Sequence, residues 1–453
     1  MATTAAAHRR PLRAYLTRLL KWDRTHGHRF THDFFKFPGK FHPPIVESLL
    51  HLFRPRFVID PMAGVGTVAV EAKAAGIPSL SIDVDPVSVF FAQVKTTPIR
   101  PDTLEAAWET MEPLLRRLRR SPEQITQYRF DDITSNAMFK HLRSANARNM
   151  ASLIYWFRRY VLADYARLDH GIANGGLPHS SRAVHNFFKA CLLATVRRIS
   201  NADPYPVSGL EITKHMRERL AAGYAVDVAG EFERRVRMNI DRMANYVEYL
   251  RDAETLRTRA DIVQDDCLNI GTLAKEFGQP PDLILFSPPY CNAIEYWRRH
   301  RLEYFLGSFL TRRDIPAHHK RFVGRRVLGR KSTAPPPQVD HPHIDRILRA
   351  LHRGGRKAKA WQLYQYFDDM KVRMRAFDDA LPHGGHAVLV VGNSRTAGQE
   401  IRTADVLRDL ALTCGFRHQT SVRYTIKNRT MQYPLKEGEA KIATESIVVL
   451  RRR

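Results

Sequence analysis

The feature that most constrains the fold of this 453-residue chain is a short apolar run at 56–76 that ends in an acid and a glycine-containing turn. Residues 57–59 predict a strand, Asp60 ends it, and residues 68–75 predict a helix. A second apolar run, SLSIDV at 79–84, predicts another strand. A strand–helix–strand unit of this length is typical of a parallel sheet covered by helices, so we expect an α/β fold.

Strand character returns only after a long helical stretch. Residues 101–256 carry apolar residues at a spacing of three to four, and such a stretch is too long for a loop. Short apolar runs then follow at 261–266, 282–290, 386–394 and 445–450, and each predicts a strand. The sequence therefore predicts an α/β sheet domain with a large helical insertion.

The charge of the chain indicates a polyanionic partner. There are 72 Lys and Arg against 46 Asp and Glu, a net charge of +26, and phosphate neutralisation by such a surface releases counterions. Nucleic acid is favoured over a membrane because no apolar run approaches about 18 residues; a merely solvated arginine-rich surface is the alternative.

The N-terminus has no apolar signal region, which predicts a cytoplasmic protein. The cysteines lack CxxC spacing, so we expect neither a metal site nor disulfides: Cys191, Cys267, Cys291 and Cys414.

The turn after the first predicted strand is a candidate ligand site. Gly64 and Gly66 let the backbone approach a ligand closely at a helix N-terminus. The GxGxxG pattern of a dinucleotide site is missing, and an Asp before Gly-x-Gly suits a ligand with an ammonium and a carboxylate. The alternative is a tight turn that needs glycine for its conformation alone. The candidate ligand-binding residues here are Asp60, Pro61, Met62, Ala63, Gly64, Gly66 and Thr67.

Acids also follow the next two predicted strands. Asp83 or Asp85 lies about 20 residues after Gly64, where a carboxylate accepts the ribose hydroxyls of a nucleoside. Asp265 or Asp266, with Asp266 favoured, can accept a hydrogen bond from an adenine amino group. A helix cap or a solvated acid is the alternative for each pair.

The sharpest motif is Ser287-Pro288-Pro289-Tyr290, at the end of a predicted strand. An exocyclic amine is a poor nucleophile because its lone pair is delocalised into the base. The Ser287 hydroxyl and the Pro288 carbonyl can accept its two hydrogens and localise that lone pair, and the prolines fix the backbone that carries these acceptors. Tyr290 offers a face on which an extruded base can stack. Cys291 does not follow a proline, so we interpret it as a packing residue rather than a nucleophile.

The motifs DPMAGVGT, SIDVDP, VQDDC and FSPPY, in this order, resemble the amino-methyltransferase branch of the class I S-adenosylmethionine-dependent methyltransferases. The resemblance covers about half of the chain, at 32–100, 257–310 and 365–450. It implies a Rossmann-like sheet, S-adenosyl-L-methionine as cofactor and double-stranded DNA as partner. FPGKFHPPIVESLL resembles the family element that closes over the methionine end of the cofactor. This element implies cofactor contacts by Phe37, Lys40, Phe41 and Pro43.

Ser before Pro-Pro-Tyr is the form common in enzymes that methylate N4 of cytosine, whereas Asp is commoner in adenine-N6 enzymes. The resemblance therefore implies site-specific methylation of a flipped-out cytosine, with Ser287, Pro288, Pro289 and Tyr290 as catalytic residues. An adenine-N6 enzyme, an RNA amino-methyltransferase and an inactive DNA-binding relative remain open. A cognate restriction endonuclease would be a further partner.

Two segments compete for recognition of the target. One is the helical insertion, and the other is a segment with 14 Lys and Arg against three Asp, in which Arg325, Arg326, Arg330 and Lys331 are candidate DNA phosphate contacts. The predicted organisation is a basic extension at 1–31, a cofactor-binding half at 32–100, the helical insertion at 101–256, a catalytic half at 257–311, the basic DNA-contacting segment at 312–360 and the end of the core sheet at 361–453.

Overall fold

The structure is a computed structural model, and every structural statement below refers to the residues that it describes. These are residues 12–17, 29–37, 39–119, 121, 123–124, 149–174, 177, 180–203, 210–291, 296–325, 334–426 and 444–453.

Strands and helices alternate in the first part of the chain, as the apolar runs predicted. Each strand is a short buried run, and the helix after it begins close to an acid or a glycine. The elements are α1 (Pro43–Phe53), β1 (Val58–Asp60), α2 (Thr67–Ala74), β2 (Ser79–Asp83) and α3 (Pro86–Thr96).

A block of helices is inserted between α3 and the next strand. Its helices are amphipathic, and Trp108 and Phe232 share one apolar core with Phe91 of α3 and Val70 of α2. The Tyr246 hydroxyl also donates a hydrogen bond of 3.1 Å to the Val70 carbonyl. The insertion therefore covers the helices that follow β1 and β2. Its elements are α4 (Pro101–Leu118), α5 (Met150–Trp156), α6 (Arg159–Ala173), α7 (Arg182–Leu193), α8 (Val196–Ile199), α9 (Lys214–Ala221) and α10 (Val228–Asp252).

The remainder of the chain completes the sheet and its second helical layer. The segment at 312–360 is partly built into that layer, because Ile344 and Leu348 of its second helix are buried in the core. The elements are β3 (Ala260–Gln264), α11 (Ile270–Phe277), β4 (Leu283–Phe286), α12 (Tyr296–Arg299), α13 (Arg301–Leu306), α14 (Ile315–His319), α15 (Pro342–Arg353), α16 (Lys357–Ala380), β5 (His386–Gly392), β6 (Ser394–Thr396), β7 (Gln399–Ile401), α17 (Thr403–Leu412), β8 (Phe416–Thr425) and β9 (Thr444–Arg452).

Seven of these strands form one mixed sheet in the order β3-β2-β1-β4-β5-β9-β8. The first five are parallel, and β9 runs antiparallel to both β5 and β8. The strand order reverses between β1 and β4, and ligands of open α/β sheets bind at the carboxyl ends of strands at such a point. The expected α/β fold, a Rossmann-like sheet with a large helical insertion, is confirmed.

Both faces of the sheet are covered, which explains why its central strands read as continuous apolar runs. Val58 and Leu285 pack toward α1, whereas Ile59 and Phe286 pack toward α16, since side chains alternate along a strand. Strand β8 was missed from the sequence. It lies at an edge of the sheet, and most of its residues are polar or charged, so its apolar signal is weak. None of the described helices is long and apolar enough to cross a membrane.

Gly66 is a point at which this packing depends on the absence of a side chain. It precedes α2 with a φ of 76°, and a Cβ there would lie 2.8 Å from the Cβ of Ala92 on α3. Gly278 also has a positive φ, of 98°, but a Cβ there would meet nothing within 4 Å.

We expect Gly66→Ala to lower the free energy of unfolding by about 1–3 kcal/mol more than Gly278→Ala. Both variants carry the strain of a left-handed residue, but only the first also overpacks the contact between α2 and α3. Equilibrium unfolding in urea measures the difference. Equal losses in the two variants would show that Ala92 moves away at little cost.

Candidate functional site

A cleft of about 900 Å³ lies at the carboxyl ends of β1 to β4, where the strand order reverses. It brings together residues that the sequence places more than 200 positions apart. The predicted site residues that line it are Phe37, Lys40, Phe41, Asp60, Pro61, Met62, Ala63, Gly64, Thr67, Asp83, Asp265, Asp266, Ser287, Pro288, Pro289 and Tyr290.

The other predicted residues lie elsewhere. Pro43 is buried at the start of α1, and Gly66 faces Ala92 rather than the cleft. Arg325 is partly buried and forms an ion pair of 3.3 Å with Asp369 of α16, so its guanidinium is engaged within the protein. Arg326, Arg330 and Lys331 lie outside the described residues, as does most of the extension at 1–31.

The glycine turn is held in place by its own backbone and by two acids. Asp60 accepts a hydrogen bond of 3.1 Å from the Met62 amide, and the Gly64 amide donates one of 2.7 Å to the Asp83 carboxylate. Gly64 has a φ of 49°, and a Cβ there would lie 3.1 Å from the Phe37 ring. Burial raises the pKa of Asp60 well above its usual range. The turn is thus a tight cup, closed on one side by an aromatic ring.

Asp83 and Asp85, which the sequence leaves as alternatives, have different environments. Asp85 caps α3 through the Val87 amide and accepts a hydrogen bond of 2.5 Å from His300 Nδ1. Burial opposes its ionisation, but His300 and the Val87 amide outweigh that effect and hold its pKa below the usual range. The Asp83 carboxylate accepts hydrogen bonds from the amides of Gly64 and Asp85. Burial together with the Asp85 charge raises the pKa of Asp83 to about 7. Asp85 is committed to capping, so Asp83 is the acceptor available to a ligand.

The acids after β3 form two consecutive turns. Asp265 accepts a hydrogen bond of 3.1 Å from the Cys267 amide, and Asp266 accepts one of 3.2 Å from the Leu268 amide. Both line the cleft. Arg373 of α16 lies beside them, buried, and was missed from the sequence. It is one arginine among several in a helical pattern, and nothing in that pattern distinguishes it.

The segment before α1 is anchored over the cleft by a buried polar cluster. Glu71 of α2 forms an ion pair with Arg29 and accepts a hydrogen bond of 2.7 Å from His32 Nε2. Burial raises the pKa of Glu71 to about 7 even so. Lys40 pairs with Asp33 at 2.8 Å. These contacts hold the segment from which Phe37, Lys40 and Phe41 line the cleft. That they contact a cofactor stays a prediction.

A buried lysine supports the turn from the opposite side. Lys95 of α3 is fully buried, and its Nζ donates a hydrogen bond of 2.6 Å to the Val65 carbonyl. Burial, followed by the charge of Lys40, lowers the pKa of Lys95 to about 7. The turn that follows β1 is therefore fixed by side chains from both α3 and β2.

The SPPY motif follows β4 and is held by β5 and β9. The Ser287 hydroxyl donates a hydrogen bond of 2.9 Å to the Val390 carbonyl. The Tyr290 hydroxyl donates one of 2.9 Å to Glu445, which also accepts from Tyr424. Glu445 fixes the orientation of the Tyr290 ring, and it was missed because β9 is 155 residues away in the chain.

Cys291 lies below this motif rather than in it. It is buried, its Sγ is 3.0 Å from the Ser394 hydroxyl, and burial raises its pKa. A buried thiol of this kind packs rather than attacks. No group of three His, Cys, Asp or Glu side chains that could hold a metal ion is found in the described part of the chain.

Comparison with known proteins finds a distant relative. No family model matches the chain. The chain is similar to the Type II methyltransferase M.MvaI of Kocuria varians, with 22% identity over 272 residues, which is 59% of this chain and 54% of the relative. The chain thus spans about half the length of that relative. The similarity supports a relationship to DNA methyltransferases. It does not bear on which base is methylated.

We expect Lys95→Met to remove a pH-dependent part of the stability. The folded-state pKa of Lys95, about 7, lies below its ordinary value of 10.5, so the unfolded chain binds more protons between these values. The free energy of unfolding of the wild type therefore rises with pH across this window, and the variant should show a smaller rise.

Urea unfolding at intervals from pH 7 to 10 measures this difference. The control is Lys357→Met, at an exposed lysine of α16, which should reproduce the wild-type slope. A Lys95→Met slope equal to that of the wild type would mean that Lys95 is charged in the folded protein throughout this range.

Proposed function

We propose that this protein is a DNA methyltransferase that transfers a methyl group from S-adenosylmethionine to an exocyclic amine, with N4 of cytosine as the favoured acceptor. The observation that carries the proposal is that one cleft contains both the glycine turn after β1 and the SPPY motif after β4. The distant similarity to a Type II methyltransferase supports the same class. A cognate restriction endonuclease would be its functional partner.

The residues of the cleft fit S-adenosylmethionine, which when bound supplies an electrophilic methyl group on its sulfonium. The cup formed by Asp60 and Gly64 would hold the methionine end, and the missing Cβ of Gly64 leaves room for the Phe37 ring that closes the cup. Asp83 would accept the ribose hydroxyls, because each oxygen of its carboxylate keeps a lone pair beyond its amide contact. Asp265 or Asp266 would accept the adenine amino group.

The hydrogen bond made by Ser287 determines what its oxygen can do. Its proton is directed to the Val390 carbonyl, so the lone pairs of Oγ remain available as acceptors. Together with the Pro288 carbonyl, Ser287 would draw the two hydrogens of an amine out of conjugation and leave its lone pair free for in-line attack. The proton that is lost can pass to solvent, and no strong base is required.

Tyr290 would form the floor for the target base. A base inside a duplex cannot reach the bottom of a cleft, so the nucleotide must be extruded. The Tyr290 ring, held by its bond to Glu445, offers a stacking surface of fixed orientation. Stacking on an aromatic side chain is worth about 1–3 kcal/mol per base, which offsets part of the cost of unstacking.

The identity of the base rests on Ser287 in the position where aspartate is the common alternative. One experiment distinguishes methylation of cytosine N4 from the alternatives. These are methylation of adenine N6, methylation of an RNA amine, and DNA binding without catalysis. Labelled methyl transfer to DNA and to RNA, followed by digestion and mass spectrometry of the nucleosides, should yield N4-methylcytosine from DNA. N6-methyladenine would reassign the base, label in RNA would reassign the substrate, and no label in either would indicate an inactive relative.

We expect Ser287→Ala to retain the cofactor affinity of the wild type and to slow single-turnover methyl transfer by about 10- to 100-fold. Loss of one acceptor from the amine costs about 1–3 kcal/mol in the transition state. The matched control is Ser79→Ala, because Ser79 is buried at the start of β2 and its hydroxyl has no hydrogen-bond partner among the described residues. Undiminished transfer by Ser287→Ala would refute the acceptor role.

We expect the affinity for S-adenosylhomocysteine to fall as the pH is lowered below about 7. Ribose hydroxyls donate to the ionised form of Asp83, and a pKa of about 7 means that this form is lost on acidification. The dissociation constant should rise by up to about tenfold per pH unit in the acidic limit. Calorimetry from pH 6 to 8 measures this pH dependence. Asp83→Asn should bind S-adenosylhomocysteine weakly, with an affinity that does not change with pH. A flat wild-type profile would exclude Asp83 as the titrating acceptor.

A further inference from the structure

A second cavity, of about 1260 Å³, lies between the helical insertion and the sheet domain. Its walls come from α8, α9 and α10 of the insertion, from α12 and α13 after the SPPY motif, and from residues 35–36. We call it the basic pocket, because cations dominate its lining. Two carboxylates, Glu231 and Glu303, face six cationic side chains: Lys36, Arg197, Arg198, Arg219, Arg235 and Arg299.

Arg235 is the most informative of these cations. It belongs to α10 and is only 6% exposed. It makes no hydrogen bond or ion pair with any residue that the structure describes, and its Nε is enclosed without a partner. A buried charge without a counter-charge is expensive, so such a guanidinium points to an anion that is supplied from outside.

The two carboxylates do not cancel the excess of positive charge. Glu231 is already shared between Arg198, at 3.3 Å, and Arg234, at 2.7 Å. Glu303 lies buried in the wall, where burial raises its pKa and thus favours its neutral form. Asp203 and Glu211 act on Arg197 from outside the lining, but four acids against six cationic side chains still leave the pocket with an excess of positive charge.

The arrangement of the cations suits a ligand that enters from solvent. Lys36 and Arg198 are exposed, whereas Arg235 is buried. A phosphate group presents several acceptor oxygens, and the planar fork of a guanidinium matches two of them at once. A carboxylate or a halide would satisfy fewer of these donors.

The basic pocket shares a wall with the cleft described above. His300 lines the pocket, while its Nδ1 hydrogen-bonds Asp85, which lines the cleft. The Phe37 ring, also in the cleft, lies 5.4 Å from the His300 ring. A polyanion that docks at the mouth of the cleft would therefore bring phosphate groups close to this pocket.

We infer that the basic pocket is a phosphate-binding site, formed jointly by the helical insertion and the sheet domain, with Arg235 as its innermost donor. The DNA backbone is the source that its position beside the cleft favours, and only this choice of source rests on the proposed function. A small phosphate-bearing molecule has the same chemistry and is distinguished by the experiment.

The test compares Arg235→Met with the wild type and with Arg251→Met, an exposed position on the same helix. Calorimetry with inorganic phosphate, at ionic strength held constant with sodium chloride, measures the pocket directly. We expect phosphate binding by the wild type and by Arg251→Met, and at least tenfold weaker binding by Arg235→Met. Arg219→Gln, at a partly exposed position of the lining, is a second variant that leaves the buried wall intact and should weaken phosphate binding as well.

A second measurement identifies the source of the phosphate. The affinity for a duplex oligonucleotide is followed across sodium chloride concentrations, and loss of one phosphate contact should reduce the log–log slope by about 0.9. A reduced slope in Arg235→Met supports the DNA backbone. Lost phosphate binding with an unchanged slope supports a small phosphate-bearing ligand in the same site.

The inference is overturned if the wild type does not bind phosphate, or if Arg235→Met and Arg219→Gln both bind it as the wild type does. Neither measurement depends on methyl transfer. A failure of the proposed reaction would therefore leave the phosphate result intact, and the reverse also holds.

Discussion

The hydrogen bond from the Gly64 amide to the Asp83 carboxylate is the contact on which the site depends, because it joins the loops after β1 and β2. The second oxygen of Asp83 accepts the amide of Asp85, and Asp85 in turn holds His300, which comes from the chain beyond the SPPY motif. Asp83 and Asp85 thus connect the segment at 32–100 with the segment at 257–311. The pKa values of the two carboxyls shift in opposite directions: burial and the Asp85 charge raise that of Asp83 to about 7, whereas His300 and the Val87 amide outweigh burial and lower that of Asp85.

Buried ionisable groups hold the loop after β1 and the segment before α1 around this contact. Lys95 donates to the Val65 carbonyl from one side, and Glu71 binds Arg29 and His32 of the covering segment from the other. Ionisable groups in such positions raise the cost of any rearrangement, since breaking a pair leaves an uncompensated buried charge. In this arrangement the Phe37 ring lies against Gly64.

Most of the sheet could be predicted from the sequence because its central strands are buried on both faces and end in acids or in Ser287. Carboxyl ends of parallel strands meet at one edge, so residues after separate strands were expected to converge. Strand β8 could not be predicted in this way, since most of its residues are polar or charged and form no apolar run. Arg373 reaches the cleft through helix packing and Glu445 reaches Tyr290 through strand order, and periodicity encodes neither. The sequence predicted Gly66 as a ligand contact because it follows Gly64 in the turn. In the structure, Ala92 of α3 occupies the space next to Gly66.

The two segments that the sequence offers for target recognition lie at different places in the structure. The insertion follows α3 and packs against α2 and α3, so it stands on the flank of the cofactor loops and builds the basic pocket there. The segment at 312–360 instead reaches the cleft itself, through Arg321, Phe322 and Val323. A residue that lines the cleft can contact an extruded base, whereas a pocket behind its wall can contact only what lies beside that base. On the proposed function and the inferred phosphate site, we propose that the insertion contacts backbone phosphates and that the segment at 312–360 contacts the target nucleotide.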